Sequence, residues 1–240
     1  MKYFADKVIK PYVAEAGYRH ICEIGASFGE NSDKLLEIEG LNLTIVDPCL
    51  DLDLVGKYSG NKRVTVHKGI SLDVIPKLQG SFDCILIDGD HNWYTVFNEL
   101  QMIQNKGLLK PGGTIFFHDV VWPYGRRDMY FQPELIPPEF VLSSEKKGIV
   151  EGRSELSDSG INGQFLTAKY EGGSRNGVLT AVEDFLKANK GQYKFFHIEV
   201  ENGLGVLLNA KGLIGNTVFQ KYRLRKKFSG WWKNLTGKSS

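Results

Sequence analysis

The sequence predicts an α/β protein with a Rossmann-like, doubly wound sheet that is mostly parallel and ends in an antiparallel hairpin. Three observations carry this prediction: short apolar runs that alternate with helical patterns, a glycine-rich turn after the first run, and polar residues at the ends of two later runs. Strands that alternate with helices indicate βαβ units and a parallel sheet. With 240 residues, 42% of them hydrophobic, the chain can bury one full core.

The elements of the first half are expected in a regular order. Residues 2–16 are predicted to be largely helical, and Pro11 is expected to break or kink that helix. The run 82–87 is apolar throughout, which is typical of a parallel strand buried on both faces. The other predicted elements are, in chain order, strand 20–24, helix 31–39, strands 42–46 and 64–67, helix 93–105 and strand 113–117.

The alternation of strands and helices stops at residue 120. Residues 120–175 are rich in Pro, Gly, Ser, Glu and Arg and have weak periodicity, so we predict an insertion that forms an acceptor-binding lid over the site. A helix is predicted over 176–189. Two strands, 193–200 and 204–209, then flank Asn202-Gly203, which is a strong signal for a two-residue hairpin turn.

The predicted domain covers residues 1–210, and a basic, aromatic tail follows over residues 211–240. Such a segment is typical of an amphipathic helix that contacts a membrane surface, packs on its own domain or binds a partner chain. The net charge of +2 gives no general case for nucleic-acid binding, and the tail has no accompanying nucleic-acid motif. Assembly into a homo-oligomer is left open by the sequence.

The cysteines indicate the compartment. Cys22 and Cys84 fall in predicted buried strands, Cys49 follows a strand, and no CxxC pair is present. This usage favours reduced thiols in a cytoplasmic protein over a disulfide framework. The first residues lack the apolar core of a signal peptide, and no stretch approaches transmembrane length. We therefore expect a cytoplasmic protein, at the inner membrane surface if the tail binds there.

A glycine-rich turn, Glu23-Ile-Gly-Ala-Ser-Phe-Gly29, lies where the first strand leads into the next helix. Glycines let the backbone approach a ligand closely, and a helix N-terminus offers unpaired N–H groups. The pattern is not GxGxxG, so a hydride-transferring dehydrogenase loses its main support but stays an alternative. Asp47, at the end of the second strand, is placed to accept hydrogen bonds from ribose hydroxyls. A plain tight turn and a solvated aspartate would also fit.

Acidic and imidazole side chains end two of the predicted strands. Asp88, Asp90 and His91 follow one strand, and His118-Asp119 follow the next. Ligands of parallel α/β sheets bind beyond the carboxyl ends of the strands, so these five residues are expected in one cleft. Side chains that can bind a metal or accept a proton indicate an enzyme. Asp88 could instead cap the following helix, and His91 could stack near an adenine or stabilise its loop.

Four segments together resemble the class I S-adenosylmethionine-dependent methyltransferases. They are the Glu23–Gly29 turn, Val46-Asp-Pro48, Phe82–His91 and Leu109–Asp119, and the resemblance spans roughly residues 18–120. It implies the seven-stranded methyltransferase fold, methyl transfer as the activity, and S-adenosyl-L-methionine as the cofactor. The cofactor-binding residues that it implies are Glu23, Gly25, Ser27, Gly29, Asp47, Gly69, Ile70, Ser71 and Asp88.

Within that superfamily, the two polar strand ends are similar to those of small metal-dependent O-methyltransferases that modify sugars in antibiotics and surface glycans. The similarity implies that Asp88, His118 and Asp119 bind a divalent cation such as Mg²⁺ or Mn²⁺. It also implies that Asp90 is the general base, and His91 is a second catalytic candidate. His118 stands where the relatives commonly have an acid. An imidazole among carboxylates suits Mn²⁺, Fe²⁺ or Zn²⁺ better than Mg²⁺.

The chemistry of such a reaction explains these residue types. A sugar hydroxyl is a very weak acid, and a divalent cation bound to it lowers its pKa and fixes its position. A carboxylate can then accept the proton as the oxygen attacks the sulfonium methyl group. The predicted function is therefore O-methylation of a hydroxyl on a sugar or glycan-like acceptor. The alternatives are a metal-free methyltransferase for another small hydrophilic acceptor and a non-catalytic scaffold of a glycan-assembly complex.

The predicted acceptor ligands lie at the two ends of the insertion. Tyr124 can stack on a sugar face, and Arg126 and Arg127 can form paired hydrogen bonds to a carboxylate or phosphate. Arg175 adds a cation just before the helix predicted over 176–189. Either cluster could instead be a solvated loop, but together they favour a hydrophilic acceptor, neutral or anionic, such as a small molecule or an oligosaccharide.

Overall fold

The computed structural model describes residues 1–211. Apart from Lys211, the predicted tail lies outside the described residues, so its helix and its membrane contact stay predictions. The strands of the described region are, in chain order, β1 His20–Ile24, β2 Asn42–Asp47, β3 Val64–Lys68, β4 Phe82–Ile87, β5 Leu109–His118, β6 Met129–Tyr130, β7 Ser144–Glu145, β8 Leu166–Ala168, β9 Tyr193–Ile198 and β10 Leu204–Asn209.

Seven of these strands form one mixed sheet in the order β3-β2-β1-β4-β5-β10-β9. Strands β1 to β5 run parallel to one another, and β10 pairs antiparallel with both β5 and β9. This topology confirms the predicted fold class and its closing hairpin. The strand order reverses its direction at β1, which pairs with β2 on one side and β4 on the other. A crevice at such a switch point is where doubly wound sheets bind ligands.

Helices cover both faces of this sheet. The α-helices are α1 Lys2–Phe4, α2 Lys10–Glu15, α3 Glu30–Leu36, α4 Leu54–Tyr58, α5 Ser71–Val74, α6 Trp93–Asn105 and α7 Val178–Ala188. The sequence prediction missed α4 and α5, because five and four residues are too few to show a helical period. Short 3₁₀ segments occur at Ile75–Lys77, Pro133–Leu135 and Pro138–Phe140.

The expected break at Pro11 does not occur. A π-helical segment, Ala5–Ile9, joins α1 to α2, so residues 2–15 stay helical throughout. Pro11 lies in the first turn of α2, where its missing N–H and fixed φ are tolerated. The helical segment buries Phe4, Val8 and Tyr12 against the sheet.

The core has two layers because the parallel strands are buried on both faces. In β4, Cys84 and Leu86 pack under the N-terminal helical segment and α3, whereas Ile85 and Ile87 pack under α6 and α7. This alternation follows from the two-residue period of a strand. It explains why the sequence of β4 is apolar throughout.

Residues 120–175 contain more regular structure than the sequence predicted. Three short strands form a second, antiparallel sheet in the order β6-β8-β7. The strands are two or three residues long, which is too short to give a recognisable alternation. The pairing of His91 with Met129 connects this small sheet to the end of β4.

The three cysteines are free thiols. Within residues 1–211, none of the helices has the length and apolar character needed to cross a membrane.

The core predicts a large stability difference between two aromatic truncations. Phe116 in β5 is fully buried and meets the Tyr12 ring edge-on at 5.3 Å. Phe116→Ala should lower the free energy of unfolding by about 3–5 kcal/mol, because it removes buried surface and leaves a cavity. Tyr170, at 59% exposure, is the control, and Tyr170→Ala should change stability by less than about 0.5 kcal/mol. Denaturant unfolding measures both, and equal losses would contradict the two-layer core.

Candidate active site

Two backbone turns meet closely at the carboxyl edge of the sheet. Gly25, which follows β1, has φ +81°, and a Cβ there would lie 2.4 Å from Gly89 Cα and 2.5 Å from the Asp88 carbonyl oxygen. Only glycine allows this approach, because both neighbouring atoms belong to backbone. The contact places the glycine-rich turn beside Asp88.

A cavity of about 360 Å³ opens at this point. Six of the predicted cofactor-binding residues line it, namely Gly25, Ser27, Asp47, Ile70, Ser71 and Asp88. The cavity also has an apolar rim that the sequence did not predict, formed by Leu50, Phe131, Leu135 and Ile136. The size and the mixed polarity of the cavity suit a nucleoside-bearing ligand.

Three predicted cofactor residues, Glu23, Gly29 and Gly69, are not among the lining residues. Glu23 is fully buried, accepts a hydrogen bond from the Ser32 hydroxyl, and has a pKa raised by burial to about 7. Gly29 lies against Tyr58, whose hydroxyl would be 2.5 Å from a Cβ at that position. Gly69 has φ +156° and directly follows β3. Their direct contact with a cofactor therefore stays a prediction.

Asp47 holds the loops that surround the cavity. Its Oδ2 accepts the backbone N–H groups of Ala26 at 2.7 Å and Ser27 at 3.0 Å, and its Oδ1 accepts that of Cys49 at 2.6 Å. The carboxylate thus ties the glycine-rich turn to the loop after β2. A ribose hydroxyl that donated to Asp47 would have to compete with these three hydrogen bonds, and the predicted ribose contact stays a prediction.

The predicted metal-binding residues lie together. Asp88, His118 and Asp119 each offer one ligand atom, and these atoms all lie within 4.8 Å of one another. His118 Nδ1 is 2.8 Å from Asp119 Oδ2 and 3.2 Å from Asp88 Oδ1. The amino group of Met1 also donates to Asp88, with 2.8 Å to Oδ2.

His91 joins this cluster from the other side. Its Nε2 lies 2.7 Å from Asp119 Oδ2, the same oxygen that contacts His118. Its Nδ1 is buried and has no hydrogen-bond partner among the described residues. Asp119 therefore lies between two imidazoles, and Asp119 itself is 3% exposed.

The pKa values reflect this arrangement. Burial acts to lower the pKa of His118, but hydrogen bonds to Asp119 and Asp88 outweigh burial and raise it to about 9. Burial likewise opposes a charge on His91, yet the charge of Asp119 raises the pKa of His91. Asp119 has a pKa far below its usual range, because the charge of His91 and hydrogen bonds from both imidazoles outweigh burial. The cluster therefore holds paired charges.

Asp90 faces the cavity and is held by its neighbours. Its Oδ1 accepts the His91 backbone N–H at 3.0 Å, and its Oδ2 accepts Asn92 Nδ2 at 2.6 Å and Thr95 Oγ1 at 2.9 Å. Burial raises the pKa of Asp90. A raised pKa makes the carboxylate a stronger base, and Oδ1 keeps a free acceptor position.

A divalent cation fits the donor set of this cluster. Two carboxylates and one imidazole are typical ligands for Mn²⁺, Fe²⁺ or Zn²⁺. Asp119 Oδ1 is buried and has no hydrogen-bond partner among the described residues, which is costly unless a further group binds there. Asp88, His118 and Asp119 are thus the residues that would hold such an ion.

The predicted acceptor ligands are in different places. Tyr124 lies beside the cluster, with its ring 5.4 Å from that of His91, and its hydroxyl accepts a hydrogen bond from Asn162. Arg126 forms a paired contact with Glu183, at 2.7 Å for each nitrogen. Both arginines that follow Tyr124 thus have partners outside the cavity, since Arg127 is fully buried and donates to backbone carbonyls.

Arg175 is exposed and lies over an aromatic pair on α6 and the insertion. Its guanidinium carbon is 5.3 Å from the centre of the Trp93 ring and 5.2 Å from that of Phe140. None of the three arginines lines the cavity. The expectation of an anionic acceptor therefore has no support from their positions, and their acceptor role stays a prediction.

A buried carboxylate, Asp128, connects the insertion to the carboxyl edge of the sheet. It accepts the backbone N–H groups of Trp93 at 2.7 Å and Gly177 at 2.6 Å, at the starts of α6 and α7. It also accepts the Tyr130 hydroxyl at 2.9 Å, and burial raises its pKa to about 6. The sequence analysis missed this residue because its partners lie 35 and 49 positions away.

Comparisons with known proteins agree with this geometry. A family model described as a methyltransferase domain matches residues 22–120. A search of the curated proteins found no match. Solved structures match with low sequence identity, and the similarity to them shows the fold.

Three solved structures illustrate that fold similarity. A candidate caffeoyl-CoA O-methyltransferase from Staphylococcus aureus has a TM-score of 0.52 and 14% identity, over 85% of this chain and 82% of that protein. The O-methyltransferase TomG from Streptomyces achromogenes, in complex with SAM, has a TM-score of 0.51 and 14% identity, over 87% of this chain and 78% of that protein. An O-methyltransferase from Bacillus cereus, in complex with SAH, has a TM-score of 0.51 and 15% identity, over 87% of this chain and 80% of that protein.

The fold, the cavity at its switch point and the family match together define the class of protein. Residues 22–120 match the methyltransferase-domain family, and the seven-stranded sheet has the Rossmann-like fold of class I S-adenosylmethionine-dependent methyltransferases. This assignment confirms the resemblance found in the sequence.

Asp128 gives a direct test of how the insertion is anchored. Asp128→Ala should lower the free energy of unfolding by about 2–5 kcal/mol, because two buried backbone N–H groups lose their acceptor. Asp158→Ala is the control, since this side chain is 93% exposed on the same insertion, and it should cost less than about 0.5 kcal/mol. Thermal and denaturant unfolding of both variants measure the difference. A small, equal effect would show that Asp128 does not anchor the insertion.

Proposed function

We propose that this methyltransferase transfers its methyl group to a hydroxyl of a sugar or another hydrophilic acceptor, with help from a divalent cation. The observation that carries the proposal is the cluster of Asp88, His118 and Asp119 beside the cofactor cavity. A cation bound there would lower the pKa of the acceptor hydroxyl. The three solved structures described above are O-methyltransferases by name, which favours oxygen as the methylated atom.

Asp90 is the proposed general base. Its position on the cavity wall is held by Asn92 and Thr95, and burial raises its pKa. The carboxylate would accept the hydroxyl proton as the acceptor oxygen is methylated, and bound S-adenosylmethionine would supply the methyl group together with its own leaving group. His91 is less suited to accept that proton, because its Nε2 already contacts Asp119 Oδ2 at 2.7 Å.

An aromatic wall beside the cluster supports a ring-shaped acceptor. The Phe131 ring lies 5.8 Å from that of His91 and 5.7 Å from that of Phe165. Phe131 is 52% exposed, so it can pack against a ligand. Aromatic rings pack on the apolar faces of sugars as well as on other flat groups. The wall therefore indicates an acceptor with a ring-shaped face and does not specify one compound.

Substitutions of Asp119 and Asp90 should cause different defects in metal binding and turnover. Asp119→Ala should lose bound metal and turnover together but keep affinity for S-adenosylhomocysteine, because it removes a ligand of the ion. Asp90→Asn should keep both metal and cofactor and lower kcat by about 10²–10⁴-fold, the usual range for loss of a general base. Metal analysis, calorimetry and single-turnover methyl transfer measure these three properties. Mild and equal losses with unchanged metal content would contradict both roles.

Metal removal is an independent test. Treatment with a chelator should abolish methyl transfer without releasing S-adenosylhomocysteine, and Mn²⁺ should restore turnover better than Mg²⁺ because His118 is a nitrogen ligand. The acceptor screen uses nucleotide sugars and surface oligosaccharides, with mass spectrometry to detect the added CH₂. Full activity after chelation would favour the metal-free alternative. Cofactor binding with no turnover on any acceptor, and full cellular function of Asp90→Asn, would favour the scaffold alternative.

A further inference from the structure

One wall of the cofactor cavity belongs to the insertion. Residues 131–141, which we call the strap, directly follow β6. The strap lines the cavity with Phe131, Gln132, Leu135 and Ile136. Phe131 and Leu135 are about half exposed at the mouth, whereas Ile136 is buried. A ligand in the cavity would therefore lie against the strap.

The backbone of the strap is hydrogen-bonded only to itself. Its bonds close short turns, such as the one in which the Phe140 N–H donates to the Pro137 carbonyl at 2.8 Å. Among the residues that the structure describes, no backbone group of the strap is bonded to another strand or helix. The two ends of the strap meet at Tyr130, whose hydroxyl accepts the Leu142 N–H at 3.0 Å. Because a segment with so few backbone connections opens locally at low cost, its side chains must hold it in place.

Aromatic stacking beneath a cation holds the far end of the strap. Phe140 lies 6.0 Å from the Trp93 ring with 15° between the ring planes, and 4.9 Å from the Tyr94 ring. The guanidinium carbon of Arg175 lies over two of these rings, 5.2 Å from that of Phe140 and 5.3 Å from that of Trp93. A guanidinium within about 6 Å of an aromatic face is attracted to it. Arg175 thus fastens the strap to α6.

The backbone around Arg175 is fixed for this contact. Arg175 has φ +55°, in the left-handed region that side chains rarely adopt. The next residue, Asn176, is buried, and its Nδ2 donates to the carbonyls of Tyr170 at 2.9 Å and Gly172 at 2.8 Å. Its Oδ1 accepts the Asp128 N–H at 2.7 Å. Such conformations persist where the surrounding structure enforces them, and they are concentrated at functional segments.

We propose that Arg175 is a positioning residue that latches the strap over the cavity, and that this latch sets the rate at which the cofactor enters and leaves. The latch consists of Arg175, Phe140 and Trp93. The inference goes beyond the proposed reaction, because it rests only on cofactor binding and does not involve the metal, the general base or the acceptor. A latch that is closed both before and after binding slows entry and exit alike. Its removal should therefore speed both steps with little change in affinity.

Stopped-flow mixing and calorimetry with S-adenosylhomocysteine test the latch. Arg175→Ala should raise the association and dissociation rate constants together by about twofold to fivefold, the change that corresponds to one exposed cation–π contact, while Kd stays nearly constant. Loss of a direct ligand contact would instead raise mainly the dissociation rate constant. Arg175→Lys keeps the charge without the flat guanidinium and should give intermediate rates. Backbone hydrogen exchange of residues 131–141 should be faster in Arg175→Ala than in the wild-type protein.

A control and a double variant complete the design. Arg153→Ala makes the same change at an exposed residue of the insertion that, within residues 1–211, lies over no aromatic ring, and it should keep the wild-type rates. Phe140→Ala should speed exchange of the ligand by about tenfold. Adding Arg175→Ala to Phe140→Ala should then change little, because the latch is already open.

Three results would overturn the inference: Arg175→Ala leaves both rate constants unchanged, it raises the dissociation rate constant alone, or its effect adds in full to that of Phe140→Ala. Failure of the wild-type protein to bind S-adenosylhomocysteine would overturn the cofactor assignment as well. Normal binding without methyl transfer to any hydroxyl would count against the proposed reaction alone, since the latch is measured on the bound cofactor product.

Discussion

The contact between Gly25 and Gly89 is the constraint on which the site depends. It brings the turns after β1 and β4 together at the switch point of the sheet, with no room for a side chain on Gly25. The same contact sets the cofactor cavity beside Asp88 and Asp90. A larger residue at position 25 would force the two strand ends apart and separate the cofactor loop from the acidic residues.

Buried charges next to this contact are stabilised by hydrogen-bonded partners of opposite charge. Asp119 is tolerated at 3% exposure because His91 and His118 both contact its Oδ2. An isolated buried carboxylate would instead shift its pKa upward and become neutral. Asp128 and Asp47 use another solution, since each accepts backbone N–H groups from two separate segments. The site is thus built from carboxylates that hold loops and carboxylates that remain for chemistry.

The local pattern of residues was enough to predict the sheet and the polar residues at its edge. Runs such as Phe82–Ile87 are apolar on both faces, and the hairpin signal Asn202-Gly203 separates β9 from β10, so local pattern and structure agree. The polar residues after β4 and β5 could be placed in one cleft because neighbouring parallel strands end at one edge. The small sheet of the insertion escaped detection, because strands of two or three residues are too short to show a recognisable alternation of apolar and polar residues.

The availability of a side chain for a ligand depends instead on contacts between distant parts of the chain. Arg126 and Arg127 look available in the sequence, yet Glu183 and distant backbone carbonyls take their donors. Asp47 and Asp51 are both acids of one loop, and the difference between them is that backbone N–H groups of other segments occupy Asp47. A hydrogen bond between residues far apart in the chain leaves no periodic trace in the sequence. Contacts between residues far apart in the chain therefore decide which polar side chains stay available at the cavity.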